Sequence, residues 1–304
     1  MTKFLISVVG PTAIGKTSLS IKLAQAFNTE ILSADSRQFY REMKIGTAAP
    51  TVEELAAAPH HFVHHISIED DYSVGDFERD SLARSEELFE ENKALVLVGG
   101  SGLYVKSLLE GLDNFPEVNP DIREELNEQL AETGLPPLQR QLQLLDPDYH
   151  KVVDLENPHR VIRALEISLG TGQPYSSFLK RPKAPRNFEP IKIGLTAPRE
   201  VIYERINMRV DAMMDEGLAE EAQALYSRRK LNALNTVGYK ELFAFFEGRM
   251  SLEEAVEEIK KNTRRFAKRQ LTWFRKEEDI EWFEHTTNPE EIIIFIKEKM
   301  NSRS

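Results

Sequence analysis

The sequence predicts an α/β protein: a parallel sheet core, interrupted by a helical insertion and closed by a helical C-terminal part. Three observations predict it. The octapeptide GPTAIGKT, Gly10 to Thr17, fits G-x-x-x-x-G-K-[ST] and stands between the apolar run FLISVV and a helical pattern. Apolar runs alternate with helical segments through the first third, as parallel strands covered on both faces require. Prolines then punctuate short helices from about Gly111 to Pro190, before IKIGLTA reads as a strand returning to the sheet. Together these describe a P-loop NTPase-like core, residues 1–112 and 190–304, around a helical domain at 113–189.

The elements follow in order. FLISVV is a buried strand stopped by Gly10, and from Lys16 a helix carries Leu19, Leu23, Ala24 and Phe27 on one face. EILSAD is a second strand ending at Asp35. Ser73 with Asp76 resembles a capping box opening a helix through Leu82, Leu88 and Phe89. ALVLV is a third buried strand, stopped by Gly99 and Gly100. In the insertion, Asn119-Pro120 and Asn157-Pro158 each set a capping residue before a proline at the first helical position, and Gly134 and Gly170 are expected to end such helices. Ile202, Ile206, Val210, Met213 and Met214 keep helical spacing. Ser251 with Glu254 opens a long helix to about Lys276, and Asn288-Pro289 opens the last one.

Composition bounds the function. Among 304 residues, 39 Lys and Arg face 50 Asp and Glu, a net charge of −11. Binding to nucleic acid must therefore rest on a local basic surface. With no cysteine, disulfides, thiolate metal sites and cysteine catalysis are excluded. FLISVVG is too short and weakly flanked for a signal peptide, and no run reaches spanning length; the expectation is a cytoplasmic protein with no membrane partner, working as a monomer.

The loop's backbone N–H groups and the following helix N-terminus suit a diphosphate. Lys16 adds a charge, and the Thr17 hydroxyl is placed to hold Mg2+. A hydrolase of this type commonly presents an acid after a buried strand, yet LVLV runs into GGSGLY, Gly99 to Tyr104, without one. The nearby strand-end acid is Asp35, in SADSRQFY. It could accept a proton, cap a helix or support the metal from behind. GGSGLY offers close backbone approach and the Ser101 hydroxyl, or simply a tight turn. PHHFVHH, Pro59 to His65, has paired histidines but no HExxH pattern and no paired acids. KKNTRRFAKRQLTWFRK, Lys260 to Lys276, interleaves bases and aromatics; Lys261, Arg265 or Arg264, Lys268 and Arg275 fall on one helical stripe suited to a phosphate backbone. Arg160 and Arg163 form a second basic group and SRRK, Ser227 to Lys230, a third. The bland alternative is a solvated face balanced by the many acids.

GPTAIGKT, DSRQFY, PHH, GGSGLY, NPHRVIRALE, TVGYKE and RQLTWFR occur in the order seen in bacterial tRNA dimethylallyltransferases, also called tRNA isopentenyltransferases, and the chain resembles that family from about Lys3 to Arg275. The resemblance implies transfer of a dimethylallyl group from dimethylallyl diphosphate to N6 of the adenosine 3′ of the tRNA anticodon. It implies that Gly10, Pro11, Thr12, Ala13, Ile14, Gly15, Lys16 and Thr17 bind the diphosphate, with Arg209 reaching it. Asp35 would take the N6 proton, with Lys16 and Ser101 as further catalytic groups. Asp35, Ser36, Arg37, Gln38, Ser101, Arg123 and the stretch His159, Arg160, Val161, Ile162, Arg163 would touch tRNA, and the insertion would clasp the anticodon stem. The chain departs from the family pattern at Ser101, where Thr is usual, and at Ala49, where Lys is common. Two other readings share parts of the pattern: a small-molecule or nucleotide kinase with the insertion as lid, and a non-catalytic tRNA-binding protein.

Overall fold

The apolar runs become strands of one parallel sheet. The computed structural model describes residues 2–179 and 184–303. Among these, six strands lie in the order β3-β2-β4-β1-β5-β6: β1 is Phe4–Val9, β2 Ile31–Ser33, β3 His60–His61, β4 Ala94–Val98, β5 Glu189–Thr196 and β6 Ile280–Glu284. Every pairing is parallel. Phe4 sits opposite both Ala94 and Glu189, which sets the register of the central three strands.

Both faces of the sheet are covered, so the alternation of side chains leaves no polar face. Phe4, Ile6 and Val8 point to one side, against Leu19 and Leu23 of α1 (Lys16–Phe27). Leu5 and Val9 point to the other. There α3 (Val74–Glu91) and α4 (Gly102–Glu110), which follow the short α2 (Val52–Ala57) beside α1, bring Phe77, Leu88, Val105 and Leu108 onto the sheet.

The chain divides into two compact units, Met1–Glu110 with Arg186–Ser304, and Gly111–Pro185. The second unit holds α5 (Asp121–Thr133), α6 (Leu135–Leu145), α7 (Pro147–His150) and α8 (Pro158–Thr171), packed around Leu126, Leu138, Leu142, Val161 and Leu165. It starts and ends slightly before the limits read from sequence, because Arg186 already belongs to the core: its Nε donates to Leu108 O at 2.9 Å. The first unit continues through α9 (Arg199–Asp215), α10 (Leu218–Leu225), α11 (Tyr239–Phe246), α12 (Leu252–Phe274) and α13 (Pro289–Ser302). None of the described helices is long and apolar enough to cross a membrane.

The capping reading holds at Ser73, Asn157, Ser251 and Asn288, whose side chains each accept from a first-turn N–H. At Asn119 the helix starts one residue late, with Pro120 as its cap. Gly134 ends α5 as expected, but Gly170 does not end α8; the left-handed Gly172, φ 68°, does. Gly170 is there for packing: a Cβ would meet Val118 at 2.5 Å. Three elements escape the sequence patterns. β3 is two histidines at the sheet edge, β6 mixes acids with its aromatics, and α2 is six residues with none buried. Edge strands and short surface helices carry weak periodicity because only part of their surface needs apolar cover.

Phe77 is fully buried and stacks on Phe39, ring centroids 5.5 Å apart. Truncating it leaves a cavity beneath the turn after β2. Phe77→Ala is expected to lower unfolding free energy by about 3–5 kcal/mol, read from the urea midpoint at unchanged slope.

Candidate active site

Because all strands run one way, their carboxyl ends share one edge, where ligands bind in open α/β sheets. β1 delivers the phosphate loop, β2 delivers Asp35 and β4 delivers Gly99 to Ser101. The loop's shape needs its glycines. Gly10 takes φ 143°, and a Cβ there would stand 2.6 Å from Leu195 O; Gly15 takes φ 107° as the residue before α1. Gly10 and Pro11 are buried and shape the loop without lining the larger cavity, whereas Thr12 to Thr17 line it.

The loop is braced from distant parts of the chain. The Thr12 N–H donates to Gln270 Oε1 at 2.8 Å, Arg205 Nε donates to Ala13 O at 2.7 Å, and Arg209 reaches Thr12 Oγ1 at 3.4 Å. Lys16 Nζ donates to Pro11 O at 2.8 Å. Burial lowers the Lys16 ammonium to about 8, opposed by nearby Asp35 and reinforced by Arg209. Burial likewise lowers Arg209, with Arg205 adding to it. Asp35 is pushed the other way: loss of water at the cleft floor raises its carboxyl, while the Arg37 N–H, Lys16, Arg37 and Arg209 pull it back. Its surface stays partly accessible through the cleft mouth, so the crowding of protein atoms around it, rather than full enclosure, causes the shift.

Asp35 does not cap a helix. One carboxylate oxygen accepts the Arg37 N–H at 3.2 Å, closing an Asx turn. The Ser101 hydroxyl accepts the Ser36 N–H at 3.2 Å and lies 3.2 Å from Ser36 Oγ, joining the turns after β2 and β4. Arg37 donates to the carbonyls of Asn232 and Ala233, and Gln38 donates to Thr47 O and Ala48 O. Both therefore brace loops as well as lining the site.

Two cavities open here. One, about 1070 Å³, is lined by the phosphate loop, Ser33, Gln38, His60, His64 and Met208. The other, about 700 Å³, is lined by Ser36, Arg37, Ser101, Phe266, Arg269 and Trp273. They share Thr12, Asp35, Thr47, Ala48, Arg209 and Met213. Asp35 stands at the junction, with the phosphate loop on one side and Ser101 on the other.

The Thr17 hydroxyl faces the larger cavity at the start of α1. No group of three histidine, aspartate or glutamate side chains able to hold a metal occurs among the described residues. This donor set fits a hard cation completed by ligand oxygens and water; the histidines of PHHFVHH form no such group.

The other sequence-predicted contacts divide. In the insertion, Arg123 and Arg163 both bind Glu166, at 2.8 and 2.9 Å, and His159 and Arg160 are exposed. Val161 and Ile162, in the same stretch, are 0% and 4% exposed and pack into the insertion core. Lys268 on α12 and Arg275, its C-cap, are exposed but line neither cavity. Arg264 turns inward to Asn207 at 2.7 Å, and Lys261 pairs with Glu258. Sequence reasoning missed Arg205 and Gln270, and took Arg269 only as one of the bases of the late basic stretch, off its main stripe. It also missed Glu221, whose carboxylate accepts the N–H groups of Lys44, Ile45 and Gly46 at 2.9 Å each, and the Tyr239 hydroxyl at 2.7 Å. Gln270 and Arg269 lie in the recognised RQLTWFR; Glu221 had no local signal.

Residues 38–277 match the family model described as IPP transferase. A protein of Christiangramia forsetii named tRNA dimethylallyltransferase is 61% identical over 99% of this chain and 100% of that one. One of Flavobacterium johnsoniae with the same name is 55% identical over 99% of each. The solved tRNA isopentenylpyrophosphate transferase of Bacillus halodurans superposes with a TM-score of 0.74 at 38% identity, covering 99% of this chain and 98% of that one. A eukaryotic dimethylallyltransferase solved acting on tRNA gives 0.83 at 26% identity, covering 99% and 80%. With a parallel sheet ending in a braced phosphate loop, and relatives matched along nearly its whole length, the chain belongs to the IPP transferase family.

Proposed function

We propose that this chain is a tRNA dimethylallyltransferase, moving the dimethylallyl group of dimethylallyl diphosphate to N6 of the adenosine 3′ of the anticodon and releasing diphosphate. The observation that carries it is the meeting of two cavities at Asp35, one holding the phosphate loop and the other open beside Ser101. A transferase needs donor and acceptor chambers that touch at one point. The names of the relatives favour this over phosphoryl transfer.

In this reading the loop residues Thr12 to Thr17, with Lys16 and Arg209, hold the diphosphate. As the allylic C–O bond breaks, its electron pair leaves on the diphosphate, whose growing charge these preorganised donors stabilise. The Thr17 hydroxyl is the residue that would hold Mg2+, which when bound supplies positive charge to the diphosphate oxygens. The adenine N6 forms the new C–N bond and gives up a proton to Asp35. A carboxylate of ordinary basicity, about 3.9 in water, could only orient the amine beforehand. The raised basicity of Asp35 makes it a better acceptor as the bond forms. Removing the base from its stack costs a few kcal/mol, least in an unpaired loop. The insertion, through Arg123, His159, Arg160 and Arg163, and the exposed Lys268 and Arg275 supply phosphate contacts. In this reading the chain works as a monomer on tRNA in the cytoplasm.

Asp35→Ala is expected to cut single-turnover transfer by about 10²–10⁴-fold with anticodon stem-loop affinity within a few-fold of wild type; near-normal turnover would remove Asp35 from the proton-accepting role. The raised carboxyl also places the acid limb of kcat/KM above the ordinary carboxylate range, activity falling as Asp35 protonates. For Lys16, the ammonium is charged below its value of about 8 and neutral above it. Pyrophosphate affinity of the free chain should therefore weaken as pH rises through that region, and Lys16→Arg should abolish this step in calorimetry. Lys268→Glu with Arg275→Glu should weaken RNA binding and flatten the log affinity–log salt slope by about 1 to 2; an unchanged slope puts the RNA elsewhere.

A further inference from the structure

One face of α12 presents an aromatic ring, a guanidinium and a second aromatic ring on successive turns: Phe266, Arg269 and Trp273, all lining the smaller cavity. Phe266 and Trp273 are each 38% exposed. Large rings left in water at the mouth of a polar cavity need a reason, and here they are held rather than loose. The rotation of α12 is locked by Ala267 and Phe274, which are buried in the core clusters on the two faces of the sheet. Gln270, 5% exposed, ties the same face to the Thr12 N–H and to Gly100 O. The Trp273 indole lies directly on Gly102, where a Cβ would come within 2.2 Å of Nε1. Arg269 sits over the Phe266 ring, 5.7 Å from its centroid. Seven residues of helix separate the two rings, about 10 Å along the axis, enough for each ring to meet a different flat partner.

From this geometry, and resting on the proposed tRNA reading, we infer that Phe266, Arg269 and Trp273 form a stacking platform for unpaired bases flanking the reacting adenosine. Flat, fixed π-faces interleaved with a cation suit splayed single-stranded bases. Arg37, Arg209, Lys240 and Arg269 line the same cavity against Asp35 and Glu241, so its positive balance complements an RNA loop. The rings line the smaller cavity alone, whereas Asp35 lines both, so the rings receive neighbours of the extruded base and the junction is left for the base itself. A paired duplex has no exposed base faces and is not a ligand for this surface.

The chain has two tryptophans, and Trp282 lies in β6, against Gly194, away from both cavities. In a Trp282→Phe chain, Trp273 is the sole tryptophan. Titration with an anticodon stem-loop RNA should quench its emission saturably, and a fully paired RNA of equal length should not. Phe266→Ala and Trp273→Ala should each weaken stem-loop binding about 5- to 100-fold without changing the salt slope, Trp273→Phe should recover most of it, and pyrophosphate binding should be unchanged in all three. If Trp282→Phe does not fold, the same quench is read as the difference between wild type and Trp273→Phe. Stem-loop binding with no change in Trp273 emission, or Trp273→Ala binding like wild type, overturns the platform. Dimethylallyl transfer assayed on the wild-type chain separates the two ideas: transfer without quenching sinks only the platform, and no transfer sinks the tRNA reading.

Discussion

Two half-buried cations facing one carboxylate at the edge of a parallel sheet are what the rest of this molecule is arranged around. Lys16, Arg209 and Asp35 each lose water in the cleft, and each is shifted toward its neutral form by that loss. Their mutual attraction recovers part of the cost, leaving a surplus positive charge. A polyanion entering the loop supplies what is missing. The cleft is therefore unfavourable by itself and favourable when loaded, as expected of a site preorganised for charge that develops during reaction.

Such a cluster persists only if the backbone around it cannot relax. Three turns at the ends of β1, β2 and β4 make the site, and each is held by a residue far away in sequence. Gln270 joins the first to the third through Thr12 and Gly100, Ser101 joins the third to the second, and Glu221 gathers three N–H groups of the wall at Lys44 to Gly46. Glycine is needed where these pieces touch: a Cβ on Gly99 would meet Ala34 O at 2.7 Å, and one on Gly46 would strike the Tyr239 ring. α12 belongs to the same frame. One helix supplies the core side chain Phe274, the brace Gln270 and the cavity-lining Arg269 and Trp273, so the shape of the cavity and the geometry of the loop rest on one rotation about one axis.

Contiguous signals were legible in the sequence. β4, and β1 apart from the buried Ser7, are apolar throughout because both faces of the sheet are covered, and the phosphate loop is a single uninterrupted octapeptide whose backbone conformation demands its glycines. Asp35 was legible as a strand-end acid beside that loop. The division of labour among its neighbours was not. Asp35 closes an Asx turn instead of capping a helix, and Val161 and Ile162, within a stretch that resembles an RNA-contacting motif, turn out to fill the insertion core.

What the sequence determined alone was therefore local: the order of strands and helices, the caps, the anion-binding loop and the supply of basic and aromatic residues late in the chain. These follow from backbone sterics and from apolar periodicity, which act over a few residues. Only the tertiary structure decided which of those late residues face the cavities. Ala267 and Phe274 go inward to the core, and the helix repeat then turns Arg269 and Trp273 to the cleft while Lys268 and Arg275 remain outside it. A helical pattern specifies angles between side chains, but the zero of that angle is set by packing against a sheet whose strands come from the other end of the chain.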